Sequence, residues 1–264
     1  MLAAAVGLSG AGAVGAVGWR ATPYAVRERL GLVEEPWVPD VPEGEVRLRR
    51  LTGAAMGPVD VFTAVPAGHG DGAGLPVVVV LHGASASAAQ LPGFGLGRFV
   101  TAAVRAGAPP FVLAGTDDGP AGWVRAGDTD PPRMLREELP GWLAAQGYGE
   151  PQALWGWSRG GYGALRFLLE DPAWARAAAL FSPALGDGDP VLDEVGGLTV
   201  PIGVWCGEDD GFVGASRELA DRLPTPPEVA TFAPGAHTRA FWNDHTPAAF
   251  SWLGAHLAVT ARGS

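Results

Sequence analysis

The chain has 264 residues, enough to bury a substantial core and ordinary for a single α/β domain. Its 47% hydrophobic content and ten tryptophans argue against disorder, and its 40 glycines and 24 prolines follow no Gly-X-Y period, so they describe many loops rather than a fibre. Twenty-eight acidic against eighteen basic side chains give a formal charge of -10 with no basic cluster longer than residues 47–50, which argues against nucleic acid as a partner because phosphate backbones demand a concentrated basic surface.

Residues 2–18 are uncharged and rich in Ala, Gly and Val, with no basic residue before them. They fit an export segment or a mobile tail, and their glycine content makes them marginal for a membrane helix, so no stable membrane span is expected. An export segment places the protein outside the cell or at its envelope, although a cytoplasmic location stays open, because Cys206 is the only cysteine and an intrachain disulfide is impossible. Residues 19–45 are irregular and are expected to pack over the core through Trp19 and Trp37. Residues 45–51 and 59–65 form a hairpin broken by Gly53 and Gly57-Pro58. The Val-rich run at 75–81 reads as a central strand covered on both faces.

Strands and helices alternate from there. Helices are expected at 96–106, 132–146, 161–170, 215–223 and 247–257, and strands at 111–114, 153–157, 177–181, 202–206 and 229–232. The stretch 182–200 reads as loop. This order implies one α/β domain over residues 19–258, with an eight-stranded, mostly parallel sheet sandwiched by helices, a short or absent lid, and a tail at 259–264.

Within this pattern, Gly156-Trp157-Ser158-Arg159-Gly160 follows an apolar strand and precedes a helix, which is the context a Gly-x-Ser-x-Gly nucleophile turn requires. Ser158 is the candidate nucleophile, with Gly156 and Gly160 clearing space where the chain folds back on itself. A base must reach it. His237 follows the last strand and is the candidate; His69, His245 and His256 suit surface or packing roles, and His82 suits loop shaping. The third member should follow the preceding strand, where Gly207-Glu208-Asp209-Asp210-Gly211 offers three carboxylates; by spacing Asp209 and Asp210 are nearly tied. The backbone N–H groups of Arg159 and Ala84 are the candidate oxyanion donors. The Arg159 side chain either pairs with an acid near the pocket or is simply exposed. His82, Asp117, Trp123 and Trp242 are candidate pocket residues, with Asp118 in the same segment as Asp117. No His-x-x-x-His or Cys-rich cluster suggests a metal, and no cofactor is implied.

The segment Gly-Trp-Ser-Arg-Gly-Gly-Tyr-Gly-Ala-Leu around Ser158 resembles the nucleophile segment of an actinobacterial esterase family, the esterase D-like group related to mycolyltransferases and feruloyl esterases. The likeness runs over residues 45–258. Leu81-His82-Gly83 is similar to that family's oxyanion-loop entry. Cys206-Gly207-Glu208-Asp209-Asp210-Gly211-Phe212 is similar to its acid segment, which favours Asp210, and Pro234-Gly235-Ala236-His237 to its histidine segment. Two features depart: Arg159 stands where the family often has methionine, and the stretch 182–200 is shorter than the usual pocket cover. The resemblance implies an α/β-hydrolase fold and a serine esterase that cleaves small-molecule or glycolipid-like esters through an acyl-enzyme. The alternatives are an acyltransferase using the same residues and a catalytically silent binding protein. Nothing in the sequence speaks to oligomeric state.

Overall fold

A computed structural model describes residues 36–257. The expected segment at 1–18, Trp19 and the tail at 259–264 lie outside the described residues. Eight strands form one sheet in the order β1-β2-β4-β3-β5-β6-β7-β8. The strands are β1 (Val46–Gly53), β2 (Gly57–Ala64), β3 (Val77–Leu81), β4 (Val112–Thr116), β5 (Pro151–Trp157), β6 (Ala177–Phe181), β7 (Ile202–Gly207) and β8 (Ala230–Ala233). β1 and β2 form an antiparallel hairpin, β2 meets β4 antiparallel, and every other pairing is parallel. The parallel strands therefore end on one edge, where α/β sheets gather their ligand-facing loops.

Side-chain alternation along the central strands divides the core into two layers. Val77, Val79 and Leu81 face one layer while Val78 and Val80 face the other, as a period of two requires. The first layer is closed by Leu165 and Leu168 of α3 (Arg159–Glu170), by Leu219 of α4 (Val213–Arg222) and by Met134 and Leu139 of the composite helix α2 (residues 131–144). The second is aromatic: Phe99 of α1 (Leu96–Arg105) and Phe250 of α5 (Arg239–Leu257) pack with Phe111, Trp155 and Trp205. Burial of both faces explains why these strands read as unbroken apolar runs rather than alternating ones.

Several expectations needed correction. The helix expected at 132–146 is composite: Pro131–Arg133 and Leu139–Ala144 are α-helical, and Met134–Glu138 between them is a π turn. Pro140 explains this, since it has no N–H to donate and its ring crowds the carbonyl four residues back, and the wider turn relieves both. The last helix, α5, starts at Arg239 rather than 247 and carries Pro247 inside it, so His245 is within the helix instead of preceding it. A 3-10 segment at Ala88–Phe94 was unexpected, and the loop at 182–200 contains two short 3-10 turns that bury Val191, Leu192, Val195 and Leu198. Among the described residues no large lid insertion covers the strand ends. Trp37 is half exposed, with its ring edge-on to Phe99. Among the described residues no helix is long and apolar enough to cross a membrane, and no group of His, Cys, Asp or Glu side chains could hold a metal ion.

Candidate active site

Ser158 sits between β5 and α3 with φ 55° and ψ -122°, a left-handed conformation that a non-glycine residue adopts only when its surroundings hold it there. Those surroundings are specific. The Ser158 N–H donates to the Phe181 carbonyl at 2.8 Å, and its own carbonyl accepts from the N–H groups of Tyr162 and Ala184 at 3.1 and 3.0 Å. A side chain at Gly156 would meet the Gly160 carbonyl, and one at Gly160 would land on the Leu81 carbonyl, so both glycines are required by close backbone approach. The turn is thereby pressed against the end of β3.

His237 follows β8 and reaches the serine. Its Nε2 is 2.9 Å from Ser158 Oγ, and its Nδ1 is 2.9 Å from Asp210 Oδ2. The loop bearing Asp210 is tied to the loop bearing His237 by two backbone bonds, Glu208 N–H to the Ala233 carbonyl and Asp209 N–H to the Gly235 carbonyl, each 2.8 Å. The two aspartates that spacing left nearly tied differ in burial and in side-chain partner. Asp209 contributes its backbone and leaves its side chain in solvent, whereas Asp210 is 3% exposed and turns its carboxylate to the histidine. Burial pushes the Asp210 carboxyl up, but hydrogen bonds from His237, the Phe212 N–H and the Ser182 hydroxyl outweigh it and hold the acid below its ordinary range.

The remaining candidates fall into two groups. Arg159 opens α3, so its N–H lacks an intrahelical acceptor. Ala84 is exposed in the loop after β3, where the preceding Gly83 runs so close to the serine that a Cβ on it would be 3.2 Å from Ser158 Cβ. His82, by contrast, is completely buried: its Nδ1 lies 3.0 Å from the Gly83 carbonyl, and burial pushes its pKa down. Asp117 is a brace, with one carboxylate oxygen accepting from Ala88 N–H and the other from Asp60 N–H. Trp123 is 2% exposed and donates its indole N–H to the His82 carbonyl at 3.0 Å. Trp242 is buried edge-on to His237 at 5.0 Å and donates to Ser182 Oγ at 3.1 Å. His82 and Trp123 are thus buried beside the loop that carries Ala84, Trp242 packs on His237, and the partly exposed Asp117 ties the loop at Ala88 to β2.

Sequence reading missed Ser182. It follows β6, is fully buried and has φ 44°, and its N–H donates to the Trp205 carbonyl at 2.7 Å. No motif marks it, because its importance comes from β6 lying between β5 and β7. The Arg159 side chain, left open by sequence, pairs with Asp118 at 2.5 Å.

A mostly parallel eight-stranded sheet flanked by helices, with a serine turn after β5, an acid after β7 and a histidine after β8, is the α/β-hydrolase fold. The chain belongs to the family described as "Putative esterase", whose pattern matches residues 54–262. No curated protein matches it in sequence. Among solved structures it is similar to a ferulic acid esterase, with TM-score 0.71 and 14% identity over 81% of this chain and 98% of that one. It is similar also to an S-formylglutathione hydrolase from Staphylococcus aureus, with TM-score 0.63 and 15% identity over 80% of this chain and 98% of the other. A feruloyl esterase module from Clostridium thermocellum, solved with sinapinate, gives TM-score 0.68 and 13% identity over 84% and 94%. At these identities the likeness is one of fold.

Proposed function

We propose that the chain is a serine esterase in which Ser158, His237 and Asp210 act as nucleophile, base and orienting acid. The observation that carries this reading is the position of His237, 2.9 Å from both Ser158 Oγ and Asp210 Oδ2. Asp210 accepts a hydrogen bond from Nδ1–H and so leaves the Nε2 lone pair facing the serine hydroxyl. His237 takes that proton as Oγ attacks an ester carbonyl carbon. The oxyanion is held by the N–H groups of Arg159 and Ala84, one at a helix start and one in the loop beside the serine. Collapse breaks the bond to the alcohol, whose oxygen receives the proton from His237. Water, deprotonated by His237, then attacks the acyl-serine, and as the acyl bond to Oγ breaks His237 returns the proton to Oγ, releasing a carboxylic acid and free Ser158.

The short 182–200 segment supports an open site that admits small-molecule or glycolipid-like esters. The segment likeness around Ser158, Asp210 and His237 supports placement in the actinobacterial esterase D-like group, and the apolar run at 2–18 supports export to the cell exterior or envelope. The test is turnover of a graded panel of acyl esters by the parent and by Ser158→Ala, with product analysis in the presence and absence of an added alcohol. Hydrolysis lost in the variant upholds the reading, a parental rate in Ser158→Ala overturns it, and ester formation on the added alcohol identifies transfer.

A further inference from the structure

The segment after β4 grips both sides of the serine turn. On one side, Asp118 Oδ2 contacts the Arg159 guanidinium at 2.5 Å, and the stem of Arg159 lies across Gly122, where a Cβ would be 2.7 Å from it. On the other side, Asp118 Oδ1 faces His82 Nε2 at 4.0 Å, and Trp123 donates to the His82 carbonyl, with the two rings edge-on at 5.2 Å. The base of Trp123 also rests on Gly163 of α3, where any side chain would collide with it. One segment thus holds the residue after the serine and the residue two before Ala84. These elements are far apart in sequence, and they carry the two backbone donors proposed for the oxyanion.

The burial of the pieces fits a clamp better than a binding surface. Asp118 has 12% of its side chain exposed and His82 none. His82 Nε2, Asp118 Oδ2 and Arg159 Nε are all buried without a hydrogen-bond partner of good geometry, so the carboxylate serves both neighbours through charge and contact rather than through a saturated hydrogen-bond set. Burial pushes the Asp118 carboxyl up, and His82 and Arg159 pull it back only in part.

Resting on the esterase reading above, we propose that Asp118 is a positioning residue that sets the distance between the Arg159 and Ala84 N–H groups by clamping the Arg159 side chain to the His82 loop. Arg159 then has two separable parts. Its backbone touches the reacting oxygen, while its side chain is the handle by which Asp118 holds that backbone in place. This gives a physical role to the arginine that stands where the resembled family often has methionine.

Removing an oxyanion donor costs on the order of a hundredfold or more in kcat, and displacing one costs less. Asp118→Asn keeps the shape and removes the charge. It should lower kcat by about tenfold to a hundredfold with KM nearly unchanged, and slow phosphonylation of Ser158 by a fluorophosphonate in parallel, because the phosphonyl oxygen occupies the same site. Arg159→Met removes the same grip from the more exposed side, so it tests the idea even if Asp118→Asn fails to fold, and it should show the same kcat loss. The double variant should be no worse than either single one. Parental kcat in either single variant, a loss confined to KM, or multiplying losses in the double variant would overturn the proposal. Ser158→Ala, run beside them, separates this failure from failure of the esterase reading: an inactive Ser158→Ala with a fully active Asp118→Asn removes only the clamp.

Discussion

Trp242 donates its indole N–H to the hydroxyl of Ser182 at 3.1 Å, so the serine proton is free to turn toward Asp210. Trp242, a candidate pocket residue by sequence, is thereby linked to the acid through Ser182. Ser182→Ala removes a hydrogen bond to a buried carboxylate and leaves the Trp242 N–H without its acceptor. Steady-state kinetics should show kcat down by about tenfold with KM little changed. Trp242→Phe keeps the ring against His237 and should cost less.

Asp210 and its neighbour are distinguished by burial, and kinetics should follow. Asp210→Asn leaves the imidazole without an anionic partner and should lower kcat by about a thousandfold or more. Asp209→Asn changes only an exposed side chain, because the contribution of Asp209 is its backbone bond to Gly235, and turnover should stay near the parent's. The reverse ranking would move the acid by one position.

The same carboxylate makes a prediction about acid stability. Its folded pKa lies below the ordinary value, so the stability it contributes is fully present above the unfolded pKa of about 3.9 and is lost as pH falls through the folded value. Thermal melts of the parent and Asp210→Asn, taken from pH 7 downward, should therefore converge below about pH 4. A gap that widens on acidification would contradict the assignment.

Gly160→Ala places a methyl on the Leu81 carbonyl, backbone against backbone, where no rotamer change can relieve it. A loss of about 3 kcal/mol in stability is expected from chemical denaturation, together with loss of activity as the serine turn moves away from β3. Cys206 offers a contrasting control: burial pushes its thiol up to about 11, so a disulfide reagent at pH 8 should leave it unmodified until denaturant is added.

The parallel strands were legible because burial on both faces writes itself as apolar runs such as 77–81 and 177–181. Ser158 stood out because a strand-to-helix serine turn needs glycines at fixed positions, and His237 and the acid segment because each follows a strand in the chain order Ser, acid, His. Contacts made between distant loops were not. Ser182 carries no local signal, and the Asp118 to Arg159 pair depends on β4 lying beside β3 at the sheet centre. Asp117, Trp123 and His82 are placed near the site by their strand ends, but the bonds of Asp117 to Asp60 and Ala88 and of Trp123 to the His82 carbonyl join segments distant in sequence. The early start of α5 was hidden by Pro247, which reads as a helix beginning and is tolerated here inside one.

The most direct test of the central claim is the intact mass of the folded protein after brief exposure to a fluorophosphonate, parent against Ser158→Ala. The geometry of His237 between Ser158 and Asp210 predicts a single adduct on the parent and none on the variant. An unmodified parent that is demonstrably folded, or an adduct that persists in Ser158→Ala, would contradict the assignment of Ser158 as an activated nucleophile.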